Sequence, residues 1–276
     1  MKRKILLYII FIFIIFQKNL LADEININSS KMKVTNEGNI ITAINVKADI
    51  PKKNIEIEGD KAIYDKKNTQ LTIINNAKFT DKSNNIYLEG EKVIYNQVTD
   101  VVQTFGKTYI NIENNYDVYS SDLVYDRKSQ KIYSYKETTI KDKKKNVFNL
   151  EDKFVFNIDS EIISSDKTNI LDNNNNEYNF EMAKINLKNN EIVGKELKVN
   201  FADGYFGNPE NDPILKGKGA TSDENKTKIY KVAFTTCNTE NKKCPGWELQ
   251  SDEFVHDKQK KVFEYKNSWL KIFDKK

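Results

Sequence analysis

The most reactive side chains near the end of the sequence are two cysteines and one histidine. Cys237 and Cys244 are separated by six residues, and His256 is the only histidine of the chain. A structural zinc site needs about four ligands, which makes zinc the weaker interpretation of these three residues. In an exported protein we expect disulfide chemistry at Cys237 and Cys244. The six-residue loop allows the two cysteines to pair with each other, and free thiols remain the alternative.

The sequence contains no pattern that is typical of a catalytic centre. His256 takes the place of an aromatic residue in a repeated phrase, and no nucleophile and base are paired around it, so we expect a packed or hydrogen-bonded histidine. Asp and Glu recur in turns and at outward positions, whereas a glycoside hydrolase needs clustered carboxylates on one face. We therefore predict that the protein is not an enzyme and uses neither a cofactor nor a metal.

The first 22 residues have the pattern of a secretory signal peptide. Lys2, Arg3 and Lys4 precede an apolar run of 12 residues from Ile5 to Phe16, and Ala22 supplies a small residue at a plausible cleavage site. The run is shorter than the roughly 20 residues of a membrane-spanning helix. We expect export and a mature chain from about residue 23, with an uncleaved membrane anchor as the alternative.

The net charge of +4 belongs to this signal segment. It contains four of the 44 basic residues and none of the 40 acidic residues, so the mature chain is balanced at 40 of each sign. Binding to nucleic acid requires a basic face, but Lys alternates with Asp and Glu throughout. We therefore exclude a nucleic-acid partner.

A phrase of about eight residues recurs along the chain. Glu58–Asp65 (EGDKAIYD) returns 31 positions later as Glu89–Asn96 (EGEKVIYN). More divergent copies are Ser120–Asp126, Glu151–Asn157, a weak copy at Ala183–Leu187, and Gln250–Asp257. Each phrase precedes a polar turn and a second β-rich run, which predicts two strands joined by a hairpin in every repeat.

These strands predict an all-β fold of stacked two-stranded repeats. Their apolar residues alternate with polar ones, so each strand turns one face to a core and the other to water. One strand pair cannot bury its apolar face alone, so we expect successive pairs to form an elongated jellyroll-like sandwich. The lysine-rich segment Lys141–Lys145 and the asparagine run Asn173–Asn176 are interpreted as polar turns.

The composition divides the chain into four segments. Residues 1–22 form the signal, predicted to be helical, and residues 23–200 form the β-repeat domain. Residues 201–235 are rich in Gly and Pro, which predicts a loop insertion. Residues 236–276 contain both cysteines and the last repeat.

The repeated phrase resembles the organic-solvent-tolerance repeat of the periplasmic proteins that form the lipopolysaccharide transport bridge. The segment with Cys237, Cys244, Trp247 and His256 is similar to the end of the periplasmic domain in the family of outer-membrane lipopolysaccharide-assembly proteins. The segment 203–219 is similar to alphaproteobacterial members. Those proteins continue into a transmembrane barrel, whereas this chain ends at Lys276. We therefore expect a truncated reading frame or a separately encoded periplasmic half.

This resemblance implies an apolar β-groove that receives lipopolysaccharide at the outer membrane and guides it to the barrel. We expect a shallow, uniform interior, with plain core packing as the alternative for each lining residue. The predicted lining residues are Ile57, Ala62, Tyr64, Leu88, Val93, Tyr95, Val124, Tyr125, Val155 and Phe156.

The resemblance also implies partners and a location. The chain is expected in the periplasm, where a bridge protein would add a strand to the layer near Val34 to Ala48, and where the outer-membrane lipoprotein partner and the barrel of the same assembly would bind. In this family, cysteines of the periplasmic domain pair with cysteines of the barrel, and Cys237 occupies the best-matching position. The alternatives are a soluble bridge protein built from the same repeat and an extracellular β-solenoid adhesin.

Overall fold

The computed structural model describes residues 23–202, 213–223, 225–236, 246–257, 259–260 and 262–272. These residues form nineteen strands and one 3-10 turn at Pro51–Lys53. The first twelve strands are β1 (Asn26–Thr35), β2 (Ile40–Ile50), β3 (Ile55–Asp65), β4 (Gln70–Asp81), β5 (Ile86–Asn96), β6 (Val101–Ile112), β7 (Tyr116–Ser121), β8 (Val124–Asp126), β9 (Lys131–Ser134), β10 (Thr138–Asp142), β11 (Val147–Leu150) and β12 (Phe154–Asn157). The remaining strands are β13 (Ile162–Leu171), β14 (Glu177–Asn186), β15 (Glu191–Asn200), β16 (Ile214–Ser222), β17 (Lys226–Thr235), β18 (Trp247–Asp257) and β19 (Val262–Ile272).

The strands form one antiparallel meander that is folded into two faces. In the middle of the chain the two faces are separate strands: β7, β10 and β11 belong to face A, while β8, β9 and β12 belong to face B. The long strands on either side contribute to both faces. Gln103 in the first half of β6 pairs with β8 on face B, and Ile110 in its second half pairs with β7 on face A. Each long strand therefore bends once and encloses the interior from both sides.

The bend has a distinct local signature. Two consecutive exposed residues interrupt the alternation of buried and exposed positions, as at Ile44 and Asn45 between the buried residues Ala43 and Val46. One residue of the pair often has a left-handed backbone, with φ of 52° at Asn45 and 50° at Glu196. The extra outward residue shifts the alternation of inward and outward side chains by one position. Side chains before and after the bend can therefore both point into the interior. We call this side of the stack the corner.

The opposite side, where the turns of the two faces meet, is called the mouth. Each repeated phrase ends at the mouth edge of face B with an Asp or Asn whose side chain accepts backbone hydrogen bonds from the following turn. Asp65 accepts from Asn68, Asn96 from Val98 and Thr99, and Asp126 from Lys128. Each repeat therefore contains one strand that runs from face B to face A and one strand that returns to face B. The turn that follows is capped by the Asp or Asn side chain.

The predicted fold class, an all-β jellyroll-like sandwich of stacked repeats, is confirmed. Of the predicted polar turn Lys141–Lys145, residues 143–145 lie in the turn between β10 and β11, whereas Lys141 belongs to β10. The predicted signal helix and both cysteines lie outside the described residues. No helix within the described ranges is both long and apolar enough to cross a membrane.

The predicted loop at 201–235 is wrong for most of its length, because β16 and β17 occupy 214–222 and 226–235. Glycine there does not mark a loop. A Cβ on Gly217 would lie 2.2 Å from Ile229 Cγ2, so glycine is required for two arms to meet at the corner.

Gly59, in the first copy of the repeated phrase, also allows two strands to approach closely at the corner. Substitution of this glycine tests the corner packing. A Cβ on Gly59 would lie 2.3 Å from Ile73 Cγ2 and 3.1 Å from the Asn75 carbonyl oxygen. Ile73 is fully buried and β-branched, so it cannot move aside easily. We expect Gly59→Ala to lower the free energy of unfolding by about 1 to 3 kcal/mol, measured by urea denaturation.

Gly219→Ala is the matched control, because its Cβ would meet nothing closer than 3.8 Å. This variant should retain wild-type stability within about 0.5 kcal/mol. Equal losses of stability in the two variants would show that close packing around Gly59 does not stabilise the corner.

Candidate functional site

The interior of the first half, from β2 to β12, is a packed core. Seven of the predicted lining residues lie there and are at most 1% exposed: Ile57, Ala62, Leu88, Val93, Tyr95, Tyr125 and Phe156. Tyr64 is half-buried at the mouth, where its hydroxyl donates a hydrogen bond to Gln97. The sequence therefore predicted inward orientation correctly for these eight residues, but the interior around them is filled.

Two predicted lining residues, Val124 and Val155, point away from the interior. Val155 lies between the buried residues Phe154 and Phe156, and Val124 precedes the buried Tyr125. Successive side chains of a strand point to opposite faces, so neighbours such as Val155 and Phe156 cannot both line one interior. Val155 instead borders a shallow depression on the outer surface with Lys153 and Ser164.

A buried ion-pair network closes the mouth of this first half. Arg127, on a face B turn, donates from Nε to Asp81 of face A at 2.6 Å and from Nη1 to both oxygens of Asp100, at 2.9 and 3.0 Å. Its Nη2 also donates to the carbonyl oxygen of Lys53 on the opposite turn, at 3.2 Å. One guanidinium group therefore ties the two faces together. We call Arg127, Asp81, Asp100 and Lys53 the Arg127 network.

Two tyrosines connect this network to the core. The Tyr95 hydroxyl donates to Asp100 at 2.6 Å, and the Tyr125 hydroxyl donates to Asp81 at 2.9 Å. Lys53 Nζ lies 3.3 Å from Asp100 Oδ1 and also donates to the carbonyl of Gln97. Each of these polar groups thus has a partner, which is the condition for burying charge without a large penalty.

Both carboxyl groups of the network are held in the ionised form. Burial alone raises the pKa of Asp81, but hydrogen bonds from Arg127 and Asn84 outweigh it, and the pKa lies below its ordinary value. Burial also opposes ionisation of Asp100, yet the Tyr95 hydrogen bond and the charge of Arg127 lower its pKa. Burial and the hydrogen bond to Asp100 raise the pKa of Tyr95, so its hydroxyl remains a donor.

The second half of the interior lies mainly between β13 and β18, with β11 and β19 beside it, and contains a cavity of about 410 Å³ that opens at the mouth. This volume lies within the range of about 300 to 1,000 Å³ that is common for small-molecule sites. Its walls are mainly apolar and come from both faces; Phe148, Ile170, Phe180, Leu197, Leu215 and Ile229 are among them. His256 also lines it and packs against Phe263, with ring centroids 4.6 Å apart.

Small side chains form a row next to the corner in this half. Ala183 pairs with Gly194 on the next strand, and Gly194 pairs with Ala220 on the strand after it. The corresponding row in the first half runs from Ala62 to Ile73 and Val93. Larger residues of that row fill the first interior, whereas in the second half the ring of Phe180 covers Gly194, where an added Cβ would lie 2.3 Å from the ring. Of the three small residues only Ala220 lines the cavity.

The rim of the cavity is polar. Asp142 accepts hydrogen bonds from the Asn146 backbone and side chain, and Asp172 accepts from Asn174 and Asn176, so both acids cap their own turns. Lys144 on face A reaches across and donates to Asn190 Oδ1 on face B at 3.0 Å. The site therefore combines an apolar interior with a hydrogen-bonding entrance, which suits an amphiphilic ligand.

Sequence reasoning did not identify these cavity residues. Their strands alternate in the same way as the first copies of the repeat, so the local pattern does not separate the cavity from the packed half. The described residues contain no group of three or more His, Cys, Asp or Glu side chains placed to hold a metal ion.

Comparisons with known proteins match part of the chain. Residues 17–101, which reach the start of β6, match the family model described as LptA/(LptD N-terminal domain) LPS transport protein. A crystal structure of LptH from Pseudomonas aeruginosa, titled the LptA homologous periplasmic component of the lipopolysaccharide transport device, is similar over 38% of this chain and 76% of that one, with 13% identity and a TM-score of 0.34. No curated protein matches the sequence.

The Arg127 network generates a prediction about stability and pH. Replacing Arg127 with Met leaves the buried carboxylate of Asp81 without its cation, which typically costs about 3 to 5 kcal/mol. In the wild-type protein the lowered pKa of Asp81 contributes stability above the unfolded value of about 3.9, and this contribution is lost as the pH falls. In Arg127→Met, burial without a cation raises that pKa, so acid neutralises the unpaired charge.

We therefore expect Arg127→Met to lower the thermal unfolding midpoint strongly at pH 7 and much less near pH 4, measured by circular dichroism. Lys47→Met is the control, because Lys47 and Glu58 form an exposed ion pair. Its removal should cost at most about 1 kcal/mol at either pH. A difference between Arg127→Met and wild type that is constant with pH would contradict the role assigned to Asp81.

Proposed function

We propose that this chain is a periplasmic lipopolysaccharide-transport domain whose second-half cavity receives the acyl chains of lipopolysaccharide. The observation that carries the proposal is an apolar cavity of about 410 Å³ between two β-faces, opening at a polar mouth. The match of residues 17–101 to a lipopolysaccharide-transport family model supports the same class of ligand. In this proposal the chain performs no catalysis, since binding and release of lipid require none.

The physical chemistry of the cavity fits a transient lipid site. Burying one methylene contributes about 0.8 kcal/mol, so complete enclosure of a chain of about a dozen carbons would hold it by roughly 10 kcal/mol. A cavity that opens along the mouth encloses only part of such a chain. We infer that the acyl chain is held firmly enough to leave water and weakly enough to be passed on.

The ends of the stack provide the proposed contacts with partner proteins. Within the described residues β1 pairs only with β2, so its other edge presents unpaired backbone groups. Met32 and Val34 on this strand are also about half exposed. We propose that a periplasmic bridge protein adds a strand to β1, and that the C-terminal end faces the outer-membrane lipoprotein partner and a barrel of the same assembly.

Residues 1–22 are proposed to direct export, after which Cys237 and Cys244 meet an oxidising compartment. They then pair with each other, with barrel cysteines, or remain free. Mass spectrometry of the exported chain with and without reductant distinguishes these three states.

A soluble bridge protein is the closest alternative, because the description of the matching family model names both kinds of protein. An adhesin is less consistent with the structure, since an adhesin has no need of an apolar cavity.

Photocrosslinking tests the position of the lipid. With p-benzoylphenylalanine in place of Phe180, which lines the cavity, we expect crosslinks to lipopolysaccharide. The same group in place of Met182, an outward residue two positions away on β14 that is 50% exposed, is the matched control. Phe156, predicted from the sequence to line the groove, lies in the packed half and should also give little labelling. Equal labelling at Phe180 and Met182 would contradict the proposal.

Filling the cavity provides a second readout of the same site. Ala220→Leu places a larger side chain in the cavity, so lipid labelling at Phe180 should fall severalfold while the unfolding midpoint changes little. Ala62→Leu is the counterpart in the packed half, where overpacking should cost about 1 to 3 kcal/mol. Full labelling of Phe180 in the Ala220→Leu background would place the lipid elsewhere.

Proline substitution tests the proposed edge contact. Adjacent residues of an edge strand point their N–H groups alternately toward the paired strand and toward the free edge. Of Lys33→Pro and Val34→Pro, both in the regular β1–β2 pairing, we expect one to disturb the fold and the other to leave it intact. The folded variant should lose binding to a purified bridge protein, measured by biolayer interferometry. Wild-type binding by this variant would exclude strand addition at β1.

A further inference from the structure

We propose that the turn Lys143–Lys145, together with Lys188 on the opposite face, binds the phosphate of the lipid whose acyl chain occupies the cavity. This inference rests on the proposed function and specifies the chemistry of the headgroup. We call Lys143, Lys144, Lys145 and Lys188 the lysine cluster.

The position of the cluster follows from the register of the strands. Lys143–Lys145 follow Asp142 and precede Asn146, and both of these residues line the cavity at the mouth edge of face A. Lys188 follows Leu187, which lines the same cavity at the mouth edge of face B. The hydrogen bond from Lys144 Nζ to Asn190 Oδ1, at 3.0 Å, shows that the two turns meet across the mouth. A ligand whose chain enters here would carry its headgroup between them.

The charges at this entrance favour an anion. The acidic residues that line the cavity are Asp142 and Asp172, and amide groups of their own turns already occupy both carboxylates. All four lysines of the cluster are exposed. Among the described residues none of them forms an ion pair, since their nearest carboxylates lie beyond 4.0 Å.

At the mouth of the closed half, meaning the packed first half, Lys53 pairs with Asp23 and Asp100, and Lys82 pairs with Glu56. Lys66 and Lys67 on that side are exposed and form no ion pair among the described residues, but no cavity opens beside them. The lysine cluster therefore differs in combining positive charge with an open apolar cavity. A phosphate bound there would contact several ammonium groups while staying partly hydrated, which makes the interaction sensitive to salt.

The experiment compares two lipids on the full mature chain: lipid A with its phosphates and the same lipid A after dephosphorylation. Binding is measured by the dependence of Phe180 photocrosslinking on lipid concentration. In the triple variant Lys143→Gln, Lys144→Gln, Lys145→Gln, the affinity for phosphorylated lipid A should fall about tenfold or more at low salt. The affinity for dephosphorylated lipid A should remain at the wild-type value.

The double variant Lys66→Gln, Lys67→Gln is the matched control, because these exposed lysines lie on a mouth turn of the closed half. It should bind both lipids as the wild type does. The inference is overturned if the triple variant keeps its affinity for phosphorylated lipid A, or if it loses both lipids equally. Failure of both lipids to label the wild-type protein would refute the proposed function itself, and the headgroup site with it.

Discussion

Each long strand of this chain has to bend once, because its two ends belong to opposite walls of the same interior. The bend requires one extra outward residue, and at several corners an ordinary side chain adopts a left-handed backbone, as at Asn45, Lys167 and Lys231. Such a conformation costs about 1 to 2 kcal/mol for a residue with a Cβ. The cost recurs along the stack and is offset because both arms of each strand then bury apolar side chains. The sheet closes around a core that a flat meander could not enclose.

The sequence predicts the repeat but not this bend. The period of 31 residues, the hairpins and the all-β class follow from Glu58–Asp65 and its copies, since strand alternation and turn residues are local signals. A phase shift at the corner depends on contacts with neighbouring strands, which no local pattern contains. Assigning Val155 and Phe156 to one interior fails for a simpler reason, because adjacent residues of one strand point to opposite faces. Composition assigns Gly217 to a loop, whereas its place on β16 depends on close packing against Ile229 of the neighbouring strand.

One architecture yields a packed half and a half that contains a cavity. Ala220 lines the cavity, and the corresponding position in the first half is occupied by the larger Val93. At the neighbouring position Gly194 is covered by the ring of Phe180, so small residues there do not by themselves leave space. Dense packing stabilises the first half, while the missing contacts around the cavity reduce the stability of the second. The cavity therefore lies where the chain loses packing energy, outside residues 17–101, which match the family model.

The Arg127 network is not explained by stability, because well-packed apolar residues can replace a buried ion pair at little or no cost. An apolar seal, however, would be continuous with the apolar interior, and an acyl chain could displace it without losing favourable contacts. Fully paired charges behave differently, since an acyl chain would have to separate Arg127 from Asp81 and leave both desolvated. In the proposed function, the network is the feature that closes the mouth of the first half against lipid. The proposed lipid site lies at the stretch of the mouth where, among the described residues, no buried ion pair joins the two faces.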